Sequence, residues 1–182
     1  MPARIALTIS PLALTMQKFK QSFEPTAMAL PPRLTRFVMN LWSPFRSPGI
    51  RVKRIAPGWE EVLVELKSTL FNRNYVGTHF GGSLYAMTDP FYMLMLIARL
   101  GSRYIVWDQS GRIDYLKPGR GRVRAHFKLS EEQLNEIRLQ AANGEKHLPE
   151  LQVDVVDEAG DVVARVYKTL YVRLKPKYRP TA

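Results

Sequence analysis

The spacing of apolar residues changes along the chain, and each change marks a different kind of element. From Pro32 to Leu41, Leu34, Phe37, Val38 and Leu41 recur at helical spacing behind a Pro31-Pro32 start, which predicts a helix. Ser43-Pro-Phe-Arg-Ser-Pro-Gly then reads as a breaker. From Ile50 the period becomes two. A hairpin is expected over Ile50 to Ile55 and Glu60 to Leu66, turning at Pro57-Gly58, with Val62, Val64 and Leu66 on its more buried face. The segment from Leu84 to Leu100 is apolar on every side and ends at Gly101, so it predicts a buried central helix.

Alternation returns after Gly101. Strands are expected at Tyr104 to Asp108 continuing to Ile113 to Leu116, at Val123 to Leu129, and in a long hairpin of Leu151 to Val156 and Val162 to Leu174 that turns at Asp157 to Asp161. Between them Ser130 and Gln133 form a capping box, and Leu129 can staple onto Leu134, so a second helix runs from there to near Gly144. A further helix is expected near Thr15 to Phe23. This order predicts an α+β fold in which one antiparallel sheet wraps a single apolar helix. Residues 1–48 form an N-terminal helical extension, 49–176 the main domain and 177–182 a basic tail. The extension's apolar face, with Leu34, Phe37, Val38, Leu41 and Trp42, must pack on something.

Composition sets limits on function. At 182 residues and 46% hydrophobic content the chain can bury one core. The absence of cysteine excludes disulfides, a thiolate nucleophile and Cys-based metal sites, and suits the cytoplasm. The formal charge of +11 is carried by the ends: residues 1–56 hold nine Lys/Arg against Glu24 alone, and 173–182 hold four with no acid. The middle is close to neutral, and no nucleic-acid-binding signature accompanies the cations, so no specific nucleic-acid partner is expected. Pro11 interrupts the short apolar run after Arg4, which argues against a signal peptide. Phe80 to Leu100 approaches spanning length, but its Gly-Gly pair, Asp89, Pro90 and Arg99 favour a core helix over a membrane span.

The candidate chemistry gathers where Asn72-Arg-Asn-Tyr-Val-Gly-Thr-His-Phe-Gly-Gly-Ser83 runs into the central helix. Gly81-Gly82 at a helix mouth lets an anionic oxygen approach backbone N–H groups, and Asp89 is the one carboxylate in the apolar segment. Other readings stay open: Asp89-Pro90 also suits an N-cap before a helix-starting proline, Gly81-Gly82 also permits close packing, and Asn74 also suits a turn. His79 is the nearby imidazole. Lys117-Pro-Gly-Arg-Gly-Arg122, read as a hairpin tip, presents Lys117, Arg120 and Arg122 either to an anionic ligand or to solvent. No metal constellation, P-loop or dinucleotide fingerprint is present.

Asn74, Phe80-Gly81-Gly82 and Asp89 match the spacing of a motif in the hotdog-fold family. The resemblance is to the phenylacetyl-CoA-type thioesterases, whose pattern is Asn, six residues on His-Gly-Gly, then Asp nine residues after the His. Here Phe80 stands at the histidine position. The full run also resembles a little-characterised hotdog subfamily described as thioesterases, and the resemblance covers about residues 34–174.

The resemblance implies hydrolysis of an acyl-CoA thioester, with coenzyme A as part of the substrate and no separate cofactor. It implies Asp89 as general base or nucleophile, Gly81 and Gly82 N–H groups as an oxyanion hole, Asn74 orienting the carbonyl or the water, and a further donor from His79. Lys117, Arg120 and Arg122 would meet the coenzyme A phosphates. Eight residues of helix separate Gly81 from Asp89, about 12 Å, too far for both to serve one carbonyl. The family's antiparallel dimer brings the Gly end of one protomer to the Asp of the other, so a homodimer, or a homotetramer made of two such dimers, is expected. The alternative is a non-catalytic acyl-CoA-binding or scaffold hotdog protein. A hydratase is disfavoured because its usual central-helix histidine is missing.

Overall fold

The computed structural model describes residues 31–180, so the helix expected near Thr15 to Phe23 lies outside the described residues. Along the chain come α1 (Pro32–Leu41), α2 (Ser43–Arg46), β1 (Ile50–Ile55), β2 (Glu61–Lys67), α3 (Gly81–Ala86) and α4 (Phe91–Leu100). Then follow β3 (Tyr104–Tyr115), β4 (Arg122–Lys128), α5 (Glu131–Gln140), β5 (Glu150–Asp157) and β6 (Val162–Leu174). The strands form one antiparallel sheet in the order β1-β2-β4-β5-β6-β3, which leaves β1 and β3 as edges. The α+β arrangement is the one the apolar periods predict.

Alternation explains the core. Val62, Val64 and Leu66 of β2, Val123, Ala125 and Phe127 of β4, and Val153 and Val155 of β5 all point to one buried face. α4 fills that face with Phe91, Tyr92, Met95 and Leu96. Phe45, Phe91 and Phe127 form a tilted aromatic chain with ring centroids 5.8 and 5.0 Å apart, tying α2 through α4 to the sheet. Tyr92 donates its hydroxyl to the Gln152 carbonyl at 2.6 Å, and burial, with the field of Asp154, pushes that hydroxyl up to about 12. α5 carries the expected capping box, Ser130 Oγ accepting the Gln133 N–H while Gln133 Oε1 accepts the Ser130 N–H, and both Leu129 and Leu134 are buried.

Four local features differ from the pattern-based expectation. The single central helix is two helices, because Pro90 has no N–H to donate and its ring excludes the carbonyl four residues back. Residues 87–90 form the joint, with the Thr88 hydroxyl and N–H both turned to the Tyr85 carbonyl. The breaker after Trp42 contains one helical turn, α2. Lys117 to Arg122 is a crossover and not a hairpin tip: β3 pairs with β6, whereas β4 lies between β2 and β5.

The fourth difference concerns α1, which buries Met39 while Leu34, Phe37, Val38, Leu41 and Trp42 remain exposed. It docks by its polar side. Asn40 Nδ2 donates to the Val52 carbonyl at 3.0 Å and its Oδ1 accepts the Val52 N–H at 2.8 Å, so one amide side chain pairs with the open edge of β1 as a strand residue would. Arg36 donates to the Lys53 carbonyl, and Arg51 to the Asn40 carbonyl.

Candidate active site

The loop from Asn72 to Phe80 is built around amides. The Asn74 N–H donates to the Thr78 carbonyl at 2.9 Å, and its side-chain oxygen accepts the Thr78 N–H at 3.0 Å. Its Nδ2 donates to Thr78 Oγ1 at 2.8 Å and to the His79 carbonyl at 3.3 Å. Gly77, at φ +78°, makes this closed turn sterically free. The Asn74 side chain thus shapes the loop that leads into α3.

His79 is buried, and its polar contacts are with the segment between β3 and β4. Its Nε2 lies 3.2 Å from the Gly121 carbonyl, its N–H donates to the Gly119 carbonyl at 2.9 Å, and Nδ1 has no partner among the described residues. Burial lowers the His79 pKa below 6.5; the Gly121 contact opposes this and Arg73 adds to it. The neutral imidazole is therefore a peg joining the loop to the crossover. Gly119 belongs to the same joint, since a side chain there would meet Val163 at 2.9 Å and the His79 ring at 3.1 Å.

Gly81 and Gly82 open α3. The Ser83 and Leu84 N–H groups both donate to the Phe80 carbonyl, whereas those of Gly81 and Gly82 have no partner among the described residues. Both positions need glycine for steric reasons as well. A Cβ on Gly81 would sit 2.8 Å from the Tyr115 hydroxyl, and one on Gly82 would overlap the Phe80 ring. A cavity of about 250 Å³ adjoins this mouth, with Phe71, Arg73, Phe80 and Ser83 among its walls.

Asp89 does not cap α4. Pro90 holds the N-cap position with no side-chain capping bond, and the Asp89 carboxylate turns instead to Lys168, whose Nζ donates to Oδ1 at 2.9 Å. Lys168 is only 1% exposed. It occupies the core-facing parity of β6, in line with Ala164, Val166, Leu170 and Val172, and reaches a second carboxylate, Asp108 Oδ1 on β3, at 3.3 Å. The Tyr85 ring stands 5.3 Å from the ammonium, and Gly111, the ladder partner of Lys168, leaves room for the Tyr85 hydroxyl.

The electrostatics of this cluster are asymmetric. Burial disfavours the Lys168 charge, but the Asp89 hydrogen bond and the fields of Asp108 and Asp89 outweigh it, so its pKa is raised and the ammonium persists. Burial raises the Asp108 carboxyl, Lys168 opposes this, and Asp89 adds to the rise. Asp89 is the open member, with its side chain 55% exposed. The site therefore contains a half-open carboxylate anchored by a buried cation, a feature absent from the motif reading. Parity along Val162 to Leu174 marks it, because Lys168 falls where every neighbour of the same parity is apolar.

The three crossover cations differ. Lys117 pairs with Asp157 at 2.7 Å and Asp161 at 2.6 Å, and Arg122 with Glu65 at 3.4 Å and Glu158 at 3.9 Å. Arg120 alone has no carboxylate partner among the described residues. Arg73, at the cavity wall, donates Nε to Ser68 Oγ and is likewise free of carboxylates. Among the described residues no group of His, Asp or Glu is arranged to hold a metal ion, and no helix is long and apolar enough to cross a membrane.

An open antiparallel sheet wrapped around a broken apolar helix, with a Gly-Gly turn opening that helix, defines a hotdog-fold protein. Solved structures agree. The PA5026 protein of Pseudomonas aeruginosa, described as a probable thioesterase, superposes with a TM-score of 0.67 at 21% identity, covering 81% of this chain and 99% of its own. The HI1161 thioesterase of Haemophilus influenzae gives 0.58 at 14% identity over 80% and 92% of the two chains. The PaaI protein of the E. coli phenylacetic acid degradation operon gives 0.55 at 14% identity over 79% and 92%. At these identities the likeness establishes the fold. The chain belongs to the DUF4442 family, a domain of unknown function, which it matches over residues 32–172. No curated protein sequence matches it.

Proposed function

We propose that the protein hydrolyses acyl-CoA thioesters as a two-fold dimer. The observation that carries this reading is the Asp89 carboxylate, which is fixed by buried Lys168, is half open to solvent and has no capping role. A carboxylate held in this way can take a proton from water as the water oxygen attacks the thioester carbonyl. The oxyanion then collapses, the C–S bond breaks, and the coenzyme A thiolate leaves and takes up a proton. In the covalent variant Asp89 attacks the carbonyl itself, the coenzyme A thiolate leaves and takes up a proton, and water then hydrolyses the acyl–Asp89 anhydride to free acid and carboxylate. The unpaired Gly81 and Gly82 N–H groups are the donors suited to the oxyanion.

Support for the dimer comes from strand β3, an edge strand of twelve residues with one side unpaired. Its Tyr115 end lies against Gly81, and its Asp108 to Gly111 part adjoins Lys168, the anchor of Asp89. Antiparallel pairing of two such edges lays the Tyr115 end of one protomer beside the Asp108 part of its partner. Each Gly-Gly mouth then meets the other protomer's carboxylate, as the helix length requires. In this reading Asn74 and His79 shape the loop behind the mouth, and Arg120 and Arg73 are the cations free for coenzyme A phosphates.

Thiol release from a panel of acyl-CoAs tests the proposal. Wild type is expected to release thiol and Asp89→Asn to lose about a hundredfold or more in kcat. Unchanged turnover in the variant removes Asp89 from catalysis. The second reading, a non-catalytic acyl-CoA-binding module, is favoured by Phe80 lying over Gly82 at the helix mouth. Saturable acyl-CoA binding with no thiol release from any substrate would establish it.

A further inference from the structure

Helix α1 is an amphipathic helix mounted the wrong way round for a core element. On a helical wheel its docked residues, Met39 and Asn40 with Arg36, lie roughly opposite Leu34, Phe37, Val38 and Leu41. The apolar stripe, extended by Trp42, therefore faces away from the sheet, with Phe37 61% and Trp42 51% exposed. A hydrophobic stripe held out by a polar docking face has to be covered by something outside the described fold.

The charge around the stripe identifies its partner. Residues 31–56 carry six cations and no acid. Lys53 and Arg54 each lie 4.0 Å from a β2 carboxylate, but Arg33, Arg36, Arg46 and Arg51 face no carboxylate among the described residues. Two copies of the chain pressed together on this face would bring eight such cations into apposition with nothing to neutralise them. A nucleic acid would meet the cations and could stack on Phe37 or Trp42, but it has no use for the aliphatic Leu34, Val38 and Leu41 that make up the rest of the stripe. An interface combining acyl chains with anionic headgroups satisfies both halves of the surface, and a terminal tryptophan suits its boundary.

We propose that α1 seats the protein on an anionic lipid surface, lying in the interface plane with its apolar stripe in the acyl boundary and with Arg33 and Arg46 at the headgroups. This is a surface contact and not a span, and it stands whether or not Asp89 is catalytic. Asn40 is the element that makes it work. By pairing with the β1 edge it fixes the helix to the domain, so the stripe is presented with α1 already folded.

Vesicle flotation of the full chain tests this. The protein is expected to float with phosphatidylcholine–phosphatidylglycerol vesicles, to release as salt rises, and not to float with phosphatidylcholine alone. Trp42 emission should shift to the blue on binding, a shift lost in Trp42→Phe. The double variant Phe37→Asp/Leu41→Asp, at exposed positions that leave the core intact, should lose about a hundredfold or more in partitioning. Arg33→Gln and Arg46→Gln should each lose about fivefold. Absence of binding to anionic vesicles, or full binding by the double aspartate variant, overturns the proposal. So does a fall in solution mass in that variant without vesicle binding, which would assign the face to a second copy. Shielding of Trp42 from acrylamide in the vesicle-free protein, equal to that of buried Trp59, would assign it to residues 1–30 and equally overturn it.

Discussion

Lys168 is the residue on which the site's electrostatics turn. A lysine on a core-facing strand position is tolerated only because two carboxylates and a tyrosine ring surround its ammonium. Lys168→Met keeps the volume and removes the cation, leaving Asp89 and Asp108 facing each other beside the core. It is expected to lower unfolding stability by about 3 kcal/mol in urea titration, with part restored by adding Asp108→Asn. His79 makes the opposite kind of prediction, in pH. Its folded pKa is lowered, so the neutral form is favoured in the folded state. Its contribution is full above 6.5 and is lost as pH falls below that value. Thermal melts from about pH 7 to about pH 5 should show a loss of stability that His79→Gln flattens, because glutamine keeps a donor for the Gly121 carbonyl without titrating. Neither role is visible from residue identity. His79 is one imidazole in a loop, and Lys168 becomes conspicuous only when strand parity is counted.

Among the elements, those governed by local pattern were readable. The hairpin of β1 and β2, the capping box of α5 and the turn at Asp157, whose carboxylate accepts the Ala159 and Asp161 N–H groups, all depend on residues within a few positions of one another. The apolar character of the central helix runs unbroken through Pro90 and predicts one helix; the backbone constraint of that proline overrides the pattern. The apolar spacing locates α1 and says that its apolar face must pack on something, without saying on what. Two reciprocal hydrogen bonds between the Asn40 side chain and the Val52 backbone dock it by the other face, at an edge strand that needs partners. Asn40→Ala should cost about 1–2 kcal/mol of local stability, seen as faster amide exchange across α1 and β1 while β5 and β6 stay protected.

For the whole molecule, the β3 edge and the split between Gly81 and Asp89 point the same way. Six-residue α3 alone is about 9 Å long, and in the proposed mechanism that span keeps Gly81 and Asp89 of one chain from serving the same carbonyl. The proposed dimer therefore predicts that specific activity falls on dilution, along the same concentration curve as the mass measured by light scattering. Activity that persists unchanged in the monomer range would place both half-sites in one chain and refute the composite site.

The order and type of the elements, the α+β class and the glycine-to-carboxylate spacing are legible in the residues alone, because they follow from periodicity, capping chemistry and spacing within short windows. Tertiary structure decided everything that needed two distant segments at once: the β3–β4 crossover, the pairing of Lys168 with Asp89 across 79 positions, and the outward face of α1. The physical reason is the same in each case. Hydrophobic periodicity says which side of an element is apolar, but only the packed chain says whether that side meets protein, a buried charge or solvent.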